Sequence, residues 1–301
     1  PQTLTVVRMR SRNQSMARIV PMPETGTPAA CSTMTIVTSP ASTHFEVVSE
    51  LLLGGVHVLV EKPITTTVEE ADQLVALARQ QQLVLQVGHV ERFNPAFTGV
   101  RDKLAEPKFI EARRLSGYTF RSTDVGVVLD LMIHDIDAVL SLVQSPVTDV
   151  EALGISVMGG HEDMASARIR FASGCVANFT ASRVSYENAR RLQVFTPRAF
   201  ASIDFGNRCS TFIEPDSSII ERTYQKDSLS DAEREDVKNN LFETLLPKQA
   251  SPPQEVNAIV EEQQDFARAI AEDVEPQVTG SAGRDALAVA PQIRERVATH
   301  S

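Results

Sequence analysis

Between residues 34 and 89 short apolar runs alternate with amphipathic stretches. Residues 34–38 (MTIVT), 56–60 (VHVLV) and 83–89 (LVLQVGH) are too uniformly apolar to have a wet face, so each predicts a buried strand. After the first run, Phe45, Val48, Leu51 and Leu52 recur at helical spacing, and that stretch stops at Gly54-Gly55. After the second, Thr67 opens an amphipathic segment, with Glu69 and Glu70 where a helix dipole favours acids. Strand, helix, strand, helix, strand with wholly apolar strands predicts a parallel sheet covered on both faces. Such sheets bind ligands beyond the carboxyl ends of their strands. Thr38-Ser39-Pro40, Glu61-Lys62-Pro63 and Gly88-His89 fall at those ends.

Near residue 107 the period changes to two. Residues 108–117, 148–158, 164–172, 175–185, 191–197 and 199–205 alternate polar and apolar positions, with turn signals at Gly159-Gly160 and Ser173-Gly174. The pattern predicts an antiparallel sheet with one wet face. One long helix is expected over about residues 124–142, and two more over about 255–273 and 282–298. Residues 226–254 predict a mobile excursion or lid. Residues 1–30 show neither period and predict at most a short strand at residues 4–7. The expected boundary separates a first domain, 1–105, from a second, 106–301, whose last helix packs back on the first.

Composition changes this picture little. The 301 residues are 42% apolar and 23% charged, a soluble globular balance with room for two cores. A net charge of -10 argues against general binding to nucleic acid or an anionic membrane. Cys31, Cys175 and Cys209 form no CxxC, which argues against a disulfide framework or structural zinc and suits a reducing cytoplasm. No apolar run approaches bilayer length, and no signal-peptide pattern opens the chain.

The candidate chemistry begins with Lys62. A lysine directly after a buried strand is partly desolvated, which lowers its pKa and suits it to polarise an oxygen; a plain surface lysine fits the position equally well. Asp130 and His134 stand i,i+4 on the expected helix, where a carboxylate fixes the imidazole's tautomer and raises its basicity. A surface pair, or a metal held by His134, Asp135 and Asp137, is the other reading, but ligands pointing different ways do not converge on an ion. His89, Arg92 and Asn94 follow the third strand within reach of a ligand, or pair structurally. His44 either contacts a ligand at a helix start or merely follows the caps Ser42 and Thr43. Arg183, Arg190 and Arg191 suit a diphosphate or a solvated sheet face.

Taken together, Glu61-Lys62-Pro63 after an apolar strand, TSPASTH (38–44) one unit earlier and Asp130-x-x-x-His134 resemble the Gfo/Idh/MocA oxidoreductases. VGHVERFNPA (87–96), MIHDIDAVLSLVQSPV (132–147), GCVANFTASRVS (174–185) and RRLQVFTP (190–197) resemble its UDP-N-acetylglucosamine 3-dehydrogenase branch. The resemblance implies an α/β plus α+β architecture. An incomplete Rossmann-like parallel sheet domain comes first, then a substrate and oligomerisation domain with a large, mainly antiparallel open sheet. It implies NAD, with NADP not separated from it, bound along Thr38, Ser39, Pro40, His44, Glu61, Lys62 and Pro63. The substrate it implies is a sugar or sugar nucleotide near His89, Arg92, Asn94 and Arg183. Lys62, His134 and Asp130 would be catalytic, with no metal, and the enzyme a cytoplasmic homo-oligomer. One departure stands out. The family's G-x-G-x-x-G turn and ribose-gripping acid are absent, and the first 30 residues hold a single glycine, Gly26. The expectation is weak or absent NAD binding and an exposed sheet edge. A non-catalytic, ligand-binding or assembly member is the alternative.

Overall fold

The computed structural model describes residues 3–10, 14–21, 33–120 and 124–300. Contacts divide the chain into two compact units, Pro1–Phe93 with Asn257–Arg294 and Asn94–Val256 with Glu295–Ser301.

The first unit carries β1 (Thr3–Arg10), β2 (Gln14–Pro21), β3 (Met34–Val37), α1 (His44–Leu53), β4 (His57–Glu61), α2 (Val68–Gln80) and β5 (Leu85–Gly88). Its sheet has the order β2-β1-β3-β4-β5. β1, β3, β4 and β5 are parallel, and β2 returns antiparallel to β1. The N-terminal region therefore holds two strands rather than at most one, and β1 covers the edge of β3 that was expected to be open. Backbone pairing against a free edge needs no apolar period, which is why the sequence pattern did not signal β2. Thr67 and Glu70 form a reciprocal capping box at the start of α2, as Thr67 foretold.

The second unit begins with the single-turn helix α3 (Pro95–Thr98), then β6 (Phe109–Leu115). A π-helical turn, Val128–Met132, runs into α4 (Ile133–Val143). β7 (Val147–Ile155), β8 (Met164–Phe171), β9 (Val176–Ser182), β10 (Ala189–Phe195), β11 (Phe200–Asp204) and β12 (Cys209–Ile213) follow. Then come α5 (Ser217–Ile220), α6 (Asp231–Asn239) and β13 (Lys248–Ser251). The sheet order is β13-β12-β11-β10-β6-β9-β8-β7, antiparallel throughout except for β6 beside β9. Along β8, Ala165, Ala167, Ile169 and Phe171 are buried and the residues between them are not, which is the alternation the sequence showed. β12 and β13 went unforeseen. β13, KQAS, has no apolar pattern and joins the sheet through its backbone, Ser251 opposite Ser210. The stretch expected as an excursion thus contains α6 and β13.

Two helices close the chain. α7 (Ala258–Glu272) sets Phe266 against Met34, Ile36 and Leu59 in the core of the first unit. Truncating a buried Phe of this kind typically costs about 3–5 kcal/mol. α8 (Gly280–His300) approaches β5 so closely that a Cβ at Gly283 would lie 2.5 Å from a Val87 methyl. Among the described residues no helix is long and apolar enough to cross a membrane, and Cys175 and Cys209 are free thiols.

Candidate functional site

In the first unit the register of the parallel strands lines up their carboxyl ends. Val37 pairs with Val60, and Glu61 with Gly88, so the segments beginning at Thr38, Lys62 and His89 leave adjacent strands. Thr38 and Pro40 are exposed, whereas Ser39 is buried and its Oγ accepts a 2.7 Å hydrogen bond from the Thr43 hydroxyl. Lys62 and Pro63 are half-buried, and the bond between them is cis rather than the trans form that is the default. Glu61 remains open to solvent as a residue, but protein crowds its carboxyl. Desolvation raises that carboxyl's pKa against the opposing pull of the Lys62 amide and the charges of Lys62 and His44.

His44, expected at the ligand, is 1% exposed. Its Nδ1 lies 2.8 Å from the Pro63 carbonyl and its Nε2 2.9 Å from the Ser39 carbonyl. Both nitrogens are spent on the protein, so it meets a ligand only through the two segments it touches. Arg92 donates to the Gln277 carbonyl at 3.1 Å, and the Gln277 amide donates back to the Arg92 carbonyl at 2.7 Å. This locks the segment after β5 to the chain between α7 and α8. The His89 ring is buried beside it.

In the second unit Asn94, expected at the substrate, turns out to be a cap. Its Oδ1 accepts from the Ala96 amide, Pro95 takes the first helical position, and its Nδ2 donates to the Phe205 carbonyl at 3.1 Å. Asn-Pro before a helix is an N-cap signal. Arg183, also expected at the substrate, lies in the same unit. It is 5% exposed, its Nε donates to Asp163 at 2.6 Å, and its Nη1 donates to the Val125 carbonyl at 2.8 Å. Asp163 accepts the amides of Val157 and Met158 at 2.7 and 2.6 Å as well. Burial alone would raise its pKa, but those amides and the guanidinium hold it below the usual carboxylate range. Arg183 therefore anchors the residue that opens the approach to the π turn.

Asp130 and His134 are both half-buried. They do not share one α-helix as expected. Asp130 lies in the π turn and His134 in the first turn of α4, and the Ile133 amide reaches the Val128 carbonyl five residues back. π turns inside helices concentrate at functional sites. The Val128 amide finds the Glu162 carboxylate at 3.4 Å, and the Val127 amide the Glu162 carbonyl at 3.1 Å. Asp135, one residue after His134, is held by Arg114 of β6. Glu162, Asp163 and Arg114 were not singled out from the sequence, and the pairing of Asp135 with Arg114 was not foreseen, because partners 20 or more residues apart leave no local signal.

For a dinucleotide the described residues fit in part. Three adjacent strand ends carry exposed or half-buried polar positions, and Gly88 has no side chain where a Cβ would stand 2.9 Å from the Glu61 carboxylate. A glycine-rich pyrophosphate turn is found nowhere in the 301 residues. Among the described residues no three His, Cys, Asp or Glu side chains gather as a metal would need.

Comparison with known proteins adds two family matches. Residues 25–89 match the profile of the GFO_IDH_MocA oxidoreductase family with its NAD-binding Rossmann fold, and residues 88–201 match the GFO/IDH/MocA C-terminal domain. The UDP-N-acetylglucosamine 3-dehydrogenase of Acidithiobacillus ferrooxidans is 36% identical over 263 residues, 87% of this chain and 77% of that protein. Its solved structure superposes with a TM-score of 0.76 at 34% identity, covering 89% of this chain and 79% of that one. A levoglucosan dehydrogenase solved with NADH and levoglucosan shares the fold, with a TM-score of 0.72 at 17% identity over 89% of this chain and 78% of its own.

Proposed function

The chain belongs to the Gfo/Idh/MocA oxidoreductases, and from that premise we propose that it oxidises the C3 hydroxyl of UDP-N-acetylglucosamine by hydride transfer to NAD. The observation that carries the substrate is the 36% identity to a UDP-N-acetylglucosamine 3-dehydrogenase over 87% of the chain. When bound, NAD supplies the hydride acceptor. Thr38, Ser39 and Pro40, with Glu61, Lys62 and Pro63, hold it at the strand ends. Lys62 donates a hydrogen bond to the sugar oxygen and stabilises the charge that grows there. His134 takes the hydroxyl proton as the carbon–hydrogen bond breaks and the carbonyl forms. Asp130 fixes the imidazole's tautomer. Acid–base help of this kind contributes typically ~10²–10⁴-fold.

The same reading places the enzyme in the cytoplasm, where free thiols such as Cys175 and Cys209 persist. It also makes the open face of the eight-stranded sheet a contact between copies. Phe109, Phe195 and Phe200 stand cross-strand there, with ring centroids 5.8 and 4.7 Å apart, and Leu153 and Ile155 are exposed on β7. Apolar clusters of that kind support association.

One observation favours a second reading, a ligand-binding or assembly member without turnover: residues 1–301 hold no G-x-G-x-x-G turn. Isothermal titration with NADH, then with a panel of UDP-sugars in its presence, separates the two. NADH binding followed by preference for UDP-N-acetylglucosamine is expected; no dinucleotide binding at all leaves the second reading standing.

A further inference from the structure

His44 faces two carbonyl oxygens, one at each ring nitrogen, at 2.8 and 2.9 Å. A carbonyl can only accept. A neutral imidazole has one N–H, so in that state a nitrogen lone pair would stand against the second oxygen. At 1% exposure no solvent is at hand to relieve the clash. A ring protonated on both nitrogens satisfies both oxygens with charge-assisted hydrogen bonds.

We propose that His44 is an imidazolium that pins the segment after β3, through the Ser39 carbonyl, to the segment after β4, through the Pro63 carbonyl. Lys62 immediately precedes Pro63, so the pin fixes where Lys62 leaves its strand. His44 is a positioning residue and touches no substrate.

The surrounding charges are consistent with a cation. Residues 38–43 carry no ionisable side chain. The end of β4 supplies Glu61 and Lys62, and the Glu61 carboxyl feels the charge of His44. On its own helix the nearest acid is Glu46, exposed and two residues on, where it does not share a face with His44. The dipole of α1 opposes a cation at its first residue, so the two carbonyls and Glu61 must outweigh it.

The functional half rests on the reading that these segments carry the dinucleotide; the charge half does not. Ring-nitrogen NMR of protein labelled with 15N-histidine, assigned by through-bond correlation to the His44 backbone, counts the protons directly. The expected result is a ring protonated on both nitrogens at neutral pH. A neutral tautomer at neutral pH overturns the proposal. In H44Q, amide hydrogen exchange across residues 61–65 is expected to accelerate by about tenfold or more, as befits the loss of a charge-assisted hydrogen bond. Unchanged exchange there overturns the pin. NADH affinity of H44Q should fall by a similar factor. If the parent chain binds no NADH, the dinucleotide reading fails, while the ring spectrum and the exchange rates still decide the pin.

Discussion

Arg114 of β6 and Asp135 of α4 form a two-pronged ion pair, Nε to Oδ2 at 3.0 Å and Nη2 to Oδ1 at 2.7 Å, with both residues at 5% exposure or less. The pair ties the sheet of the second unit to the helix that carries His134. Removing one partner leaves a buried charge uncompensated, which typically costs about 3–5 kcal/mol, whereas replacing both with apolar residues is often close to neutral. Urea unfolding should therefore show Arg114→Met and Asp135→Leu each strongly destabilised. The double replacement should be less destabilised than the sum of the two. A strictly additive result would mean that the charges are solvated.

Gly126 permits the π turn to start where it does. A Cβ at that position would overlap the Glu162 carboxylate, which otherwise accepts the Val128 amide. Gly126→Ala should displace Glu162, disturb the turn bearing Asp130, and lower kcat with little change in the fold. Steady-state kinetics beside circular dichroism check this. Unaltered kcat would detach the turn from the chemistry.

Two carboxyls give opposite dependences on pH. Asp163 has its folded pKa depressed, so its stabilisation is present above the unfolded value and is lost as pH falls through the folded one. Asp163→Asn should lose stability at neutral pH and show a shallower acid transition than the parent. Glu61 has its folded pKa raised, so its contribution is present below the unfolded value and fades as pH rises from the ordinary 4.5 upward. Glu61→Gln should flatten the stability profile over that upper window. Urea midpoints measured from acid to neutral pH would show both slopes.

Local chemistry explains what was legible beforehand. β3, β4 and β5 announced themselves as apolar runs, α2 by the Thr67 cap, and β8 by its alternation, because each signal is contained within a few residues. Lys62 and His134 were singled out on signals of the same local kind: a lysine ends an apolar run, and an imidazole interrupts an apolar helix. What escaped depends on partners distant in the chain. The Arg183–Asp163 pair at 2.6 Å, twenty residues apart, left no local sign. The π turn leaves no trace in a hydrophobic period, and β13 has no apolar side chain pattern at all.

The decisive measurement is NADH formation from UDP-N-acetylglucosamine and NAD by the parent chain and by Lys62→Met and His134→Asn, with folding of each verified by thermal unfolding. The expected result is turnover by the parent and a fall of about 10²-fold or more in kcat for each variant, the scale of a lost acid–base group. Turnover in both variants equal to the parent's would contradict the assignment of this lysine and this histidine to one reaction.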